Sequence, residues 1–224
     1  KGKFCIGKRT DGLNLIDWAS NNGYKIVYTK DELLSASISE EKILGVFAAS
    51  HTFNDETEEK ILESGLKNYV DTAPRLDQMV KFALEFLFAK GQFILVAEEE
   101  GTDNFGNKNN ANGKLEALLN ADNAIGEVLQ FYQSHPNTML ITAADSEAGG
   151  LAVAGYEVDS LDKNNPLPPA DHNGAPMDGV NGTGTLPFIS KPDKTGRTFP
   201  FGIVWASSGD LSGSVVARAH GLNA

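Results

Sequence analysis

The chain has 224 residues, is 41% hydrophobic, and sets 30 Asp and Glu against 19 Lys and Arg, for a formal net charge of −11. That length buries a sizeable core as one domain or one and a half, and the charge argues against nucleic acid or an anionic membrane as a partner. A phosphate substrate stays open if a metal neutralises the site, while the single Cys5 excludes an internal disulfide framework.

No apolar run reaches membrane-spanning length, and Lys1-Gly-Lys-Phe-Cys has no signal-peptide core. Arg9-Thr-Asp-Gly-Leu-Asn-Leu-Ile-Asp-Trp18 opens with turn residues. It continues as a helix with Leu13, Ile16 and Ala19 on one side, ended by Gly23. Residues 24–29 read as a strand, 30–35 as a short helix and 43–47 as the next strand. The charged run 54–60 reads as a solvated face or loop. After Pro74, the residues Met79, Val80, Ala83, Leu84 and Leu87 fall in helical register.

That helix leads into 92–107, the stretch around which the chain is organised. Residues 93–97 (Phe-Ile-Leu-Val-Ala) form a short apolar run bounded by Gly91 and Gly101, the pattern of a strand buried on both faces in a parallel sheet. It ends in Glu98, Glu99 and Glu100, followed by Asp103. Ligands of open α/β sheets sit beyond the carboxyl ends of strands. These carboxylates are therefore either a site or a solvated exit, and the loop 102–113 is either part of that site or a flexible turn.

The pattern recurs at Thr138-Met-Leu-Ile-Thr-Ala-Ala-Asp145, followed by Ser146-Glu-Ala-Gly-Gly. Between the two runs, Leu115, Leu118, Leu119, Ile125, Val128, Leu129 and Tyr132 follow much of a helical spacing. The unit reads as strand, helix, strand with a right-handed crossover. Two acidic strand ends on the same edge of one sheet point to a site more strongly than either end does alone. Residues 159–197 are rich in Pro, Gly, Asn and Asp and read as a long functional loop, a small appended subdomain or a partly disordered excursion. Order returns at Phe201-Gly-Ile-Val-Trp-Ala-Ser-Ser-Gly-Asp210, and Ser214-Val-Val-Ala-Arg-Ala219 reads as one more strand.

With these pieces in order, the chain resembles the carboxy-terminal half of an alkaline phosphatase. Residues 9–15 and 24–34 look like the family's Arg-Thr-Asp-Gly-x-Asn-Leu helix and the strand after it, and 43–47 like its Leu-x-Gly-Leu-Phe strand. Residues 93–103 look like Phe-Phe-Leu-Met-Val-Glu-Gly-x-x-Ile-Asp, and 142–151 like Thr-Ala-Asp-His-Glu-Thr-Gly-Gly-Leu with one extra alanine. Residues 205–221 look like Trp-x-Ser-Thr-Gly-His-Thr followed by the family's last strand. The resemblance implies an α/β fold with a mostly parallel central sheet flanked by helices. Residues 1–224 would be the carboxy-terminal part of that domain, with 157–200 a crown-like loop or subdomain.

It also implies a phosphomonoesterase with two zinc ions and a magnesium beside a serine nucleophile. Glu98 matches the magnesium-binding glutamate. Asp103 and Asn107 match an aspartate and a histidine on the first zinc, Asp145 and Ser146 an Asp-His pair on the second, and Asp210 the final zinc histidine. All three histidine positions have lost their imidazole. The four histidines, His51, His135, His172 and His220, lie elsewhere, with surface placement expected. A shell of Glu98, Asp103, Asn107, Asp145, Ser146 and Asp210 is all oxygen, which favours calcium or magnesium over zinc. The shell is either remodelled for a hard cation or decayed.

The family's nucleophilic serine, bridging aspartate and phosphate-holding arginine lie in its amino-terminal half, so no catalytic residue is assigned here. The expectation is part of a metal-dependent phosphomonoester hydrolase, inactive alone and binding a phosphate monoester or inorganic phosphate when joined to its missing amino-terminal half. The alternative is a non-catalytic metal-binding or structural protein that keeps the fold. The resemblance further implies periplasmic or secreted localisation and a possible homodimer, without nucleic acid or membrane partners.

Overall fold

The computed structural model describes residues 9–154 and 162–224, so Cys5 and residues 157–161 of the expected excursion lie outside the described residues. In chain order the elements are α1 (Leu15–Asn21), β1 (Tyr24–Val27), α2 (Lys30–Leu34), β2 (Lys42–Gly45), α3 (Glu58–Ser64), α4 (Leu76–Phe88), α5 (Gly101–Asn107) and α6 (Ala111–Ser134). There follow β3 (Met139–Thr142), a 3-10 turn (Ala148–Gly150), β4 (Leu151–Ala154), β5 (Met177–Gly179), β6 (Gly182–Thr183), β7 (Phe188–Ile189), β8 (Pro200–Trp205) and β9 (Arg218–Gly221). The chain forms two compact units: 1–53, 69–98 and 120–135 in the first, and 54–68, 99–119 and 136–224 in the second.

In the first unit, α1 starts where the Asn14 side chain accepts hydrogen bonds from the backbone N–H groups of Ile16 and Asp17, satisfying donors that a helix start otherwise orphans. β1 and β2 pair in parallel, from Tyr24 with Lys42 to Val27 with Gly45, and α2 forms the connection, capped by Thr29. The helix expected after Pro74 is α4. Its Leu76, Val80 and Leu84 recur every four residues, so one face carries them all. They pack with Ala124 of α6, and Met79, Phe93, Leu95, Val128 and Phe131 close around them. Full burial of side chains of this size contributes about 1.5–3 kcal/mol each.

Residues 93–97 depart from expectation. Phe93 and Leu95 pack on that core, but Ile94 and Val96 are 90% and 87% exposed, and the segment pairs with no strand among the described residues. The side chains alternate as in a strand. A β-ladder needs a neighbour to receive its backbone hydrogen bonds, and none of the described strands supplies one.

In the second unit β8 is the hub. It pairs antiparallel with β4, β5 and β7, and β6 continues the sheet from β5. Ile203 and Trp205 of β8 and Ala111 of α6 are buried together, with Leu151, Phe188 and Phe201 against them. The described part of the Pro- and Gly-rich stretch is thus strand-forming, supplying β5, β6 and β7 to the sheet that holds β4 and β8. β3 pairs antiparallel with β9. The expected crossover joining 93–97 in parallel to β3 is absent among the described residues, where β1 with β2 is the sole parallel pair. Among the described residues the sheets are small and mainly antiparallel, and no mostly parallel central sheet is seen there.

Two further expectations are corrected. The run 54–60 is not simply solvated: Thr57 caps α3 and Glu58 is only 5% exposed. The stretch 102–113 is not a flexible turn but α5 and the start of α6, anchored by the fully buried Phe105.

A candidate oxygen-donor site

α5 places Asp103 and Asn107 four residues apart and hence on one helix face. The Asn107 amide Nδ2 donates to Asp103 Oδ2 at 3.1 Å and to Asp210 Oδ1 at 2.8 Å. Ser146 Oγ donates to Asp103 Oδ1 at 3.3 Å. Asp103, Asn107, Ser146 and Asp210 thus converge from three separate segments of the second unit. Asp145 is exposed and acts on Asp103 through its charge. Glu98 belongs to the first unit, where it is exposed.

Backbone contacts hold the three segments together. Gly149 N–H donates to Gly209 O at 3.2 Å, and Asn109 Nδ2 donates to Ser207 O at 2.7 Å. Gly149 adopts φ +73°, and a Cβ there would lie 2.3 Å from Gly106 O. Any side chain would force α5 off the 3-10 turn, so glycine is required for space as well as for conformation.

The electrostatics leave negative charge only partly compensated. Burial, then the neighbouring Asp210 carboxylate, raises the Asp103 carboxyl above its ordinary range, while the Ser146 bond opposes the rise. Lys114 lies half buried, donating to Ala148 O at 2.6 Å. Burial lowers its pKa, and the charges of Asp103 and Glu147 oppose that shift. Asn107 Oδ1 is buried and accepts no hydrogen bond. Two carboxylates, a hydroxyl and an amide side chain together fit a hard cation: with the amide turned over, Oδ1 would face the ion in place of the N–H groups that now bridge Asp103 and Asp210. The same donors are poor for zinc, which favours nitrogen and sulfur.

The histidines lie elsewhere: His51 stacks on Phe53, His135 packs between Phe88 and Phe131, and His172 and His220 are exposed. His135 is thus half buried rather than on the surface.

A second carboxylate group escaped the sequence reading. Glu58, Glu59 and Asp178 of the second unit each offer an oxygen, and the three oxygens lie within 4.8 Å of one another. The one signal in the sequence is that Glu58 precedes Ile61 by three residues, which puts both on the inner face of α3. Asp178 sits in the Pro- and Gly-rich stretch, where no periodicity marks it.

Residues 2–175 match the family model for alkaline phosphatase. Over 155 residues the chain is 32% identical to the repressible alkaline phosphatase of Saccharomyces cerevisiae, covering 66% of this chain and 27% of the yeast protein. The alkaline phosphatase of Thermus thermophilus is 30% identical, with a TM-score of 0.51 over 63% of this chain and 28% of that one. That of the Antarctic bacterium TAB5 is 20% identical, with a TM-score of 0.59 over 95% of this chain and 49% of that one, a likeness of fold. A histidine-to-glutamate mutant of the TAB5 protein carries magnesium in its M3 site. The chain spans about a quarter of the yeast and Thermus relatives and about half of the TAB5 protein. No helix among the described residues is long and apolar enough to cross a membrane. A family match over 2–175 joins the sequence similarity and the common fold: the chain belongs to the alkaline phosphatase family.

Proposed function

We propose that this chain is the part of a metal-dependent phosphomonoesterase that carries its oxygen-donor cation site. The observation behind this reading is the convergence of Asp103, Asn107, Ser146 and Asp210 from three segments. Asp103, Asp210, Ser146 and Asn107 Oδ1 would hold a magnesium or calcium ion, with Asp145 adding charge. Such an ion polarises a phosphoryl oxygen and stabilises charge on the transferring group. The nucleophile, bridging aspartate and phosphate-binding arginine belong to another part of the protein, so this chain alone is inactive.

The exposed Ile94 and Val96 support that arrangement. In the intact protein residues 93–97 join a larger, mostly parallel sheet, and the described part of the excursion, residues 162–200, belongs to a crown-like subdomain. The protein is periplasmic or secreted, acts on phosphate monoesters and forms a homodimer. A second reading, a non-catalytic member of the family, draws on the Asn107 amide: its N–H groups already bridge Asp103 and Asp210, as a cation would.

The full-length protein, stripped with EDTA and assayed on an aryl phosphate, separates the two. The first reading expects turnover to return with magnesium or calcium, and Asp103→Asn and Asp210→Asn each to lower it by about tenfold or more. Absence of turnover with every ion, or full activity in both variants, would refute that reading in favour of the second.

A further inference from the structure

The group formed by Glu58, Glu59 and Asp178 shares no residue with the Asp103 cluster. Glu58 begins α3 and is 5% exposed, and Asp178 on β5 is 2% exposed. Two carboxylates so deeply buried need compensation, since an unpaired buried charge costs several kcal/mol. Asp178 has two donors, the indole Nε1–H of Trp205 and Thr183 Oγ1 at 3.1 Å. Glu58 Oε1 accepts from the backbone N–H of Asn112 at 2.7 Å. Its other oxygen, Oε2, is buried with no hydrogen-bond partner.

The surroundings press the third carboxylate into the same place. The Thr183 N–H donates to Glu59 Oε1 at 3.0 Å. Gly182 adopts φ +102°, and a Cβ there would come within 2.5 Å of that same oxygen. The β5–β6 hairpin thus closes on Glu59 with backbone alone. Placement at a helix start accounts for Glu59 on the solvent side, because the helix dipole favours acids there. It leaves unexplained a buried Glu58 with an empty oxygen beside Asp178.

We propose that Glu58, Glu59 and Asp178 form a second, separate site for a hard divalent cation, with calcium as the preferred ion. Every donor is a carboxylate oxygen, the ligand class of calcium and magnesium. Oxygens no more than 4.8 Å apart fit around one ion at calcium–oxygen distances of about 2.3–2.6 Å. Three carboxylates, each able to bind through one oxygen or two, also suit the irregular calcium shell better than the strict octahedron of magnesium. The ion would neutralise the buried pair and fill the vacant position at Glu58 Oε2. By clamping α3 to the β5–β6 hairpin it would stabilise the unit that carries the Asp103 cluster, without taking part in that cluster's chemistry.

Calcium titration of the EDTA-treated full-length protein by calorimetry, with terbium luminescence excited through tryptophan as a second reading, tests the site. Glu58→Gln and Asp178→Asn should each abolish one calcium equivalent or weaken it by about tenfold or more. Glu59→Gln, at the exposed member, should weaken the same equivalent and lower the terbium signal in a protein whose fold has no reason to change. The double variant Asp103→Asn with Asp210→Asn should leave this equivalent untouched, so failure of the phosphatase reading and failure of this one are separable. Wild-type calcium stoichiometry and affinity in Glu58→Gln and Glu59→Gln would overturn the proposal. So would an absence of calcium binding in the double variant.

Discussion

Gly113 lies in the first turn of α6, where helix propensity and packing oppose each other. Replacing a helical glycine by alanine ordinarily stabilises by about 1 kcal/mol, because glycine has more backbone freedom to lose on folding. Here a Cβ would stand 2.4, 2.6 and 2.8 Å from three ring atoms of Phe105, against about 3.5–4.0 Å for relaxed carbon contacts. The ring would have to move by about 1 Å or more, and it has no room, being fully buried. Overpacking of this kind costs about 1–3 kcal/mol, and three contacts this short put it near the upper end. Gly113→Ala should therefore destabilise by a net of about 1–2 kcal/mol. Gly126, in the same helix, has open space where its Cβ would go, so Gly126→Ala should stabilise by up to about 1 kcal/mol. Urea denaturation of both variants beside the parent measures the difference, which corresponds to a few °C in Tm for a chain of this size. Because Phe105 sits between Asp103 and Asn107 on α5, Gly113→Ala should also weaken cation binding at that cluster. If Gly113→Ala is as stable as Gly126→Ala, the packing between Phe105 and α6 described here is wrong.

Leu84→Ala, which truncates a side chain 5% exposed in the α4 core, should cost about 2–5 kcal/mol in chemical denaturation; Leu62→Ala, at a residue 65% exposed, should change stability by no more than about 0.5 kcal/mol. Burial lowers the pKa of Lys114, so the folded chain releases this proton at lower pH than the unfolded chain does. Its contribution to stability is then fully present above the unfolded lysine pKa and is lost as pH falls through the folded one; Lys114→Met should flatten the part of the stability profile just below the unfolded lysine pKa of about 10.4, and an unchanged slope would count against the burial.

The helices α1, α2, α4 and α6 were legible through their apolar spacing and flanking turn residues, whereas α3 and α5, short and polar, were not. Leu76, Val80 and Leu84 mark the inner face of α4, and Asn14 and Thr29 act as caps through bonds to the next few residues. The order of the motifs around Asp103, Asp145 and Asp210 likewise revealed the family, since spacing along a chain is a property of sequence. Pairing was not legible. An apolar run such as 93–97 states that both faces suit burial, but whether it becomes a strand depends on which backbone lies beside it. β3 found β9, and 93–97 found no described partner.

Glu58 shows the same limit from the polar side. In the sequence it stands in a charged run that reads as solvent-exposed, and Asp178 stands 120 residues further on among glycines and prolines. What buries them together is long-range: β5 pairing with β8, the turn at Gly182 closing on α3, and Trp205 donating to Asp178. Composition and periodicity report on neighbours along the chain. The desolvation of two carboxylates is set by neighbours in space, and those exist only once the second unit has folded.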